Sequence, residues 1–153
     1  MEKTNVMRIL ERLNVSYTPH EYDSETDKGE EVAAAIGKSA DEVFKTLVTT
    51  SPNGNYVFII PVNCSLNLKK AARTAGVKSI EMLKQKELLP LTGYVHGGCS
   101  PFGMKKTFPT FIEETAILFP AICVSAGKRG YQVELSPEDI IKNVPAEYGD
   151  LCD

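Results

Sequence analysis

The run Phe44-Lys-Thr-Leu-Val-Thr-Thr-Ser-Pro-Asn-Gly-Asn-Tyr-Val-Phe-Ile-Ile-Pro-Val62 decides the fold class. Two β-branched and aromatic segments, Phe44 to Thr50 and Tyr56 to Val62, flank Ser51-Pro-Asn-Gly-Asn55, and Asn-Gly favours the primed turns whose twist suits a two-stranded hairpin. An antiparallel hairpin with a primed turn at its tip is therefore expected. Its first strand carries a single lysine, Lys45, between Val43, Phe44, Thr46 and Leu47, and these neighbours cannot all face water. Either Lys45 points outward from an amphipathic strand, or it is a cation held in a cleft for an anionic phosphate or a developing oxyanion.

Outward from the hairpin, strands and helices mix without a regular period. Thr4 can cap a helix in which Val6, Ile9, Leu10 and Leu13 recur at 3.6 spacing as far as Asn14. Val15 to Tyr22 alternates like a strand, and Pro19, which cannot donate to a ladder, places it near a sheet edge. Glu30 to Ile36 reads as a short helix stopped by Gly37, followed by a Ser39…Glu42 capping box. Ser65 or Asn67 can cap a helix through Ala75, closed by Gly76. Val77 to Met82 suggests a strand, and Lys84 to Leu89 a helical turn ending at Pro90. Ala121 to Ser125 and Tyr131 to Leu135 read as strands, and Ser136-Pro-Glu-Asp139 opens a last helix with proline at its first position. With no repeated βαβ unit, the expectation is one α+β domain over residues 1–153, its twisted, mostly antiparallel sheet flanked by helices.

Composition narrows the function classes. The chain has 153 residues, 42% of them hydrophobic, which suits a single core. A net charge of −3 argues against a generally basic nucleic-acid binder, so any nucleic-acid contact must be local. The candidates are Lys69-Lys70 with Arg73, Lys105-Lys106, and Lys128-Arg129. Four cysteines lie far apart with no Cys-x-x-Cys, and no secretory pattern opens the chain, which points to a reducing cytoplasm. The apolar runs are far shorter than the roughly 20 residues a membrane helix needs, so no membrane role is expected.

A second segment, Gly93-Tyr-Val-His-Gly-Gly-Cys-Ser-Pro-Phe-Gly-Met-Lys-Lys106, suits the presentation of backbone. Glycine allows close approach of another molecule, and Pro101 fixes one φ and removes a donor. Gly97 to Pro101 is thus either a tight connection or a ligand-facing loop. Val124-Ser-Ala-Gly-Lys-Arg-Gly130 is another glycine-bracketed loop with small polar and cationic residues. Cys99 and His96 invite comparison with a thiol nucleophile and its base, or with half of a metal site. Only two histidines exist, however, and no third Cys or His stands at ligand spacing beside this pair.

The order of a lysine strand, a Gly-Gly-x-Ser-Pro loop and a Ser-x-Gly-Lys-Arg-Gly loop resembles the YbaK/EbsC group of free-standing aminoacyl-tRNA deacylases. These are related to the editing domain inserted in bacterial prolyl-tRNA synthetases. The likeness runs from Asn5 to about Ala146 and is greatest to the Cys-tRNA(Pro) deacylase branch. It implies an open, barrel-like mixed sheet with the active cleft at its rim, and trans-editing of mischarged tRNA, Cys-tRNA(Pro) or Cys-tRNA(Cys) first among substrates. It further implies no metal or other cofactor, the aminoacylated 3′ end of tRNA as partner, and prolyl-tRNA synthetase as a second partner. A deacylase for another small amino acid such as alanine, or a non-catalytic module that binds a tRNA end or a synthetase, stands as the alternative.

By the same resemblance Lys45 is essential to activity, and Gly97, Gly98 and Ser100 offer contacts to the ribose hydroxyls and carbonyl, with Pro101 stiffening the loop. The nucleophile is the substrate's own thiol. Tyr22 and Ser125 match pocket positions, although the residues alone equally allow a core-packed edge aromatic and a serine capping its own turn. Gln132 stands where the cysteinyl-tRNA enzymes carry an aspartate, which removes a charge near the pocket. Cys99 fills the variable place of Gly-Gly-x-Ser-Pro.

Overall fold

In the computed structural model, which describes residues 1–153, helix α1 (Asn5–Arg12) begins at the Thr4 cap, whose hydroxyl accepts from Met7 N at 3.3 Å. It buries Val6, Met7 and Leu10, each worth roughly 1.5–3 kcal/mol on removal from water. Leu13, expected on the same stripe, is exposed because the helix ends at Arg12. Strand β1 (Thr18–Glu21) then lies at a sheet edge, where Pro19 costs no ladder bond. Helix α2 (Gly29–Ala35) and a 3-10 turn (Ala40–Glu42), capped by Ser39, lead into strand β2 (Phe44–Ser51).

Strand β3 (Gly54–Pro61) returns antiparallel to β2 in the register Lys45–Ile60 and Ser51–Gly54. The turn differs from expectation. Its two central residues are Pro52 and Asn53, and neither has the positive φ that a primed turn needs at both positions; Gly54 supplies it instead, at φ 136°. Helix α3 (Leu68–Ala75) has its cap at Asn67, which accepts from Lys70 N at 3.0 Å, and ends at Gly76 in the left-handed region. Only Glu81–Met82 of the next expected strand forms, as β4. Helix α4 (Gln85–Thr92) runs through Pro90, since a proline in the last turn removes one intrahelical bond without ending the helix there.

Strands β5 (Thr110–Glu113), β6 (Ile122–Ser125) and β7 (Tyr131–Leu135), helix α5 (Pro137–Asn143) and strand β8 (Glu147–Gly149) complete the chain. The result is α+β, as expected, with two sheets. One has the order β1-β7-β6 and is wholly antiparallel. The other has the order β4-β2-β3-β5-β8, and its β3–β5 and β5–β8 pairs are parallel. Neither sheet closes into a barrel. A single parallel bridge, Val43 to Cys123, joins them where β2 begins.

This arrangement explains the unbroken apolar run in β3. Ile59 faces the main core, together with Phe44, Leu10, Val124, Val133 and Ile140. Phe58 and Ile60 face a second cluster made with Ala71, Ala72, Phe111 and Leu151. A strand buried on both faces has no polar side to alternate with. No helix is long and apolar enough to cross a membrane.

The C-terminal segment is tied in by Glu113, which is 3% exposed. One carboxylate oxygen accepts from Leu151 N at 2.9 Å and Cys152 N at 3.3 Å, and the other from Thr115 N at 2.9 Å. Each buried donor left without a partner costs about 1–3 kcal/mol, so Glu113→Ala is expected to lose about 3 kcal/mol or more, measured by urea unfolding.

Candidate active site between the two sheets

β6 touches β2 at Val43, and β4 pairs with it at Thr49 and Thr50. Between these points no strand pairs with the edge of β2, and a cavity of about 170 Å³ opens along it. Phe44, Lys45, Thr46 and Leu47 form one wall. Side chains alternate across a strand, so Phe44 and Thr46 lie on one face and Lys45 and Leu47 on the other; all four reach the cavity because it follows the edge rather than a face. Ser125 at the end of β6, Gln132 in β7 and Tyr22 just after β1 supply the floor. His96, Gly97 and Cys99 of the glycine loop, with Leu88 of α4, face β2, and Thr26, Asp27 and Gly29 close the end near α2.

Of the site residues read from the sequence, Lys45, Tyr22, Gly97, Ser125 and Gln132 line this one cavity. Gly98, Ser100 and Pro101 lie outside its lining and hold the loop that forms it. A Cβ on Gly98 would stand 3.3 Å from Arg129 N and 3.5 Å from Lys128 Cα, so the absent side chain lets the two glycine-bracketed loops meet backbone to backbone. Gly97 takes φ 86°, which turns the chain toward the cavity. Ser100 is fully buried and its hydroxyl accepts from Phe102 N at 3.3 Å. Pro101 is buried beside a separate small hollow, and the Tyr94 hydroxyl donates to Phe102 O to close the loop.

The lining holds one ammonium, Lys45, and one carboxylate, Asp27, which do not pair with each other. Half-buried Lys45 makes no ion pair. Gln132, 6% exposed, has its Oε1 buried with no donor, and Thr46 Oγ1 is likewise buried and unpartnered. Such atoms cost free energy unless something else meets them. Ser125 accepts from Gly127 N at 3.1 Å, the turn-capping arrangement that its sequence context also allowed. Thr26, Asp27, Gly29, Thr46 and Leu88 had not been singled out in the sequence. Thr26 and Asp27 belong to a polar connection without a motif, Gly29 opens α2, and Thr46 lies on the opposite face of β2 from Lys45.

Burial pushes the Cys99 thiol up to about 12, so at neutral pH it is a protonated, poor nucleophile. His20, Cys123 and Glu134 bring potential metal donors within 4.8 Å of one another. In the structure these groups are otherwise engaged: burial, first of all, pushes the Cys123 thiol up to about 12, and the carboxylate of Glu134 is bonded by His20 Nε2 at 2.8 Å and Lys38 Nζ at 2.9 Å. Burial works to raise the Glu134 carboxyl, but those two hydrogen bonds overcome it and hold it below the usual range.

Fold and cavity together describe an α+β domain with a hollow at a strand edge that carries unpartnered hydrogen-bonding groups. The aminoacyl-tRNA editing domain family matches residues 23–143, and the chain belongs to that family. Among its relatives, the "Putative Cys-tRNA(Pro)/Cys-tRNA(Cys) deacylase EbsC" of Enterococcus faecalis is 45% identical over 153 residues, covering 98% of this chain and 93% of that protein. A proline–tRNA ligase of Shouchella clausii is 30% identical over 102 residues, which are 67% of this chain and 18% of the ligase. Two solved structures share the fold. One is "a putative trans-editing enzyme for prolyl tRNA synthetase", with TM-score 0.84 and 23% identity over 97% of this chain and 96% of that one. The other, a hypothetical protein, has TM-score 0.89 and 24% identity over 99% of this chain and 100% of that one.

The thiol chemistry can be checked directly. At pH 8 Cys99 and Cys123 are expected to resist iodoacetamide in the folded protein and to react on unfolding in urea, as followed by peptide mass spectrometry. Rapid native alkylation of Cys99 would contradict the burial argument.

Proposed function

We propose that this chain, as one editing domain over residues 1–153, removes mischarged amino acids from tRNA in trans, its substrate being the cysteinyl ester of tRNA(Pro) or tRNA(Cys). The observation that carries the reading is Lys45, whose ammonium makes no ion pair in a cavity it shares with Gly97, although Asp27 lines the same cavity. A charge left this way calls for an anion or a developing oxyanion. The match to the editing family and the 45% identity to the Enterococcus faecalis protein support the same reading.

In this mechanism the aminoacyl-ribose enters along the open edge of β2. Lys45 and the loop backbone at Gly97 meet the ester carbonyl, while the buried acceptors Gln132 Oε1 and Thr46 Oγ1 take hydrogen bonds from the bound substrate. The substrate thiol then attacks its own carbonyl: a sulfur–carbon bond forms, the ester carbon–oxygen bond breaks, and the thiol proton passes to the departing ribose oxygen. The product is a thiolactone, and the protein contributes by folding the ester into that pose, which can replace a large entropic cost. The protonated Cys99 takes no part as nucleophile. With a net charge of −3, the chain gains tRNA-binding surface from prolyl-tRNA synthetase as partner, and its four free cysteines suit a cytoplasmic setting.

Release of labelled cysteine from cysteinyl-tRNA(Pro) is expected for the wild type, falling about 100-fold or more in Lys45→Ala, the scale of losing a group that stabilises an oxyanion. Equal release by wild type and the no-enzyme control would remove the proposal. Alanyl-tRNA(Pro) cleaved as fast as cysteinyl-tRNA(Pro) would instead mark a broader small-amino-acid deacylase. Cys99→Ala is expected to keep most activity; its inactivation with unchanged stability would restore a protein thiol as nucleophile.

A further inference from the structure

A second, larger cavity of about 470 Å³ lies behind the loops that wall the first. Its lining is polar and cationic: Lys3, Arg8, Lys105 and Lys128 face it, against the single carboxylate of Glu2. That is an excess of positive charge on a chain whose net charge is −3. Lys128 is paired with Glu2 at 2.9 Å and Lys3 with Glu11 at 2.9 Å, but these pairs are about half exposed and hold their partners weakly. Arg8 and Lys105 make no ion pair at all. The stem of Lys105 lies over Gly93, where a Cβ would come within 3.4 Å of its Cγ, so the ammonium is carried at the cavity rather than on a free loop tip.

The two cavities share their walls. Gly93, Tyr94 and Lys105 border the second and His96, Gly97 and Cys99 the first, all within one loop; Ala126, Gly127 and Lys128 border the second and Ser125 the first, within the other. Ser125 and Gly127 are two residues apart, so at most about 7 Å of chain separates them. A stacked strand rises about 3.4 Å per nucleotide, so this is the span of roughly two nucleotides. Between the loops, the guanidinium Nε of Arg129 is buried without a partner and sits against Gly97.

We infer that this second cavity is a phosphate-binding site for the RNA strand whose 3′-terminal ribose occupies the first, with Arg8 and Lys105 as its free cations. The inference rests on the proposed deacylation for the identity of the strand. It adds the surface by which the protein grips RNA outside the reacting ester.

The test compares wild type with Arg8→Ala/Lys105→Ala. Binding of uncharged tRNA(Pro) is measured across a range of salt, and cleavage is measured on two esters, cysteinyl-tRNA(Pro) and the cysteinyl ester of adenosine alone. Binding of tRNA is expected to weaken about ten-fold or more, with a log–log salt slope shallower by roughly 1.5, the value for two lost phosphate contacts. KM for cysteinyl-tRNA should rise at unchanged kcat, while the adenosine ester, which has no further phosphates, is cleaved as by wild type. Lys105→Glu alone should weaken tRNA binding, with a melting temperature equal to that of wild type. Unchanged affinity and salt slope would overturn the site, and so would equal loss on both esters. If wild type cleaves neither ester, the deacylase reading fails, and the binding measurement still decides the phosphate site.

Discussion

Beyond the bridge from Val43 to Cys123, β2 leaves β6 and continues beside β3 into the five-stranded sheet. That parting is the constraint on which the site depends. Had the ladder continued, main-chain groups of the two strands would have satisfied one another and filled the space with a closed sheet. Instead the edge from Phe44 to Leu47 is left to a cavity, and the glycine loop and the connection before α2 close over it. An unpaired edge exposes main-chain groups and is a hazard where it meets bulk solvent; here it is covered by loops, which keeps those groups for a ligand.

The charges follow the same logic. Core packing on both faces of β3 holds the hairpin in place, so Lys45, opposite fully buried Ile60, is set where its ammonium makes no ion pair. Around it the protein leaves Gln132 Oε1 and Thr46 Oγ1 unsatisfied rather than pairing them internally. Elsewhere only Arg129 Nε is left buried without a partner, and Glu113 is satisfied by three backbone donors. Both unmet oxygens thus belong to residues that line the one cavity, an arrangement that costs stability unless a ligand meets them.

Much of the fold was legible because local chemistry agreed with the final structure. Thr4 and Ser136 cap helices where their spacing placed them, Asn67 caps one for which Ser65 was the other candidate, and Gly76 ends that helix in the left-handed region. The hairpin was legible from its flanks, but not its turn, since Pro52 fixes a φ that the Asn-Gly preference ignores. Strands β5 and β8 escaped notice: both are short and pair in parallel with distant segments, so their stability comes from neighbours rather than from local pattern. Within the site, Lys45, Tyr22, Gly97, Ser125 and Gln132 were accessible through motif order, whereas Thr26, Asp27 and Leu88 reach the cavity only by tertiary placement. Gly98 and Ser100 were legible as unusual residues, but their geometry supports the loop and does not face the hollow.

The most direct test is to bind a non-hydrolysable amide analogue of 3′-cysteinyl-adenosine and map it by amide chemical shifts or crystallography. The account predicts that the analogue lies along the β2 edge, perturbs Lys45, Thr46 and Gly97 together, and brings its carbonyl within hydrogen-bond distance of the Lys45 ammonium. Binding elsewhere on the molecule, with these three residues unmoved, would contradict it.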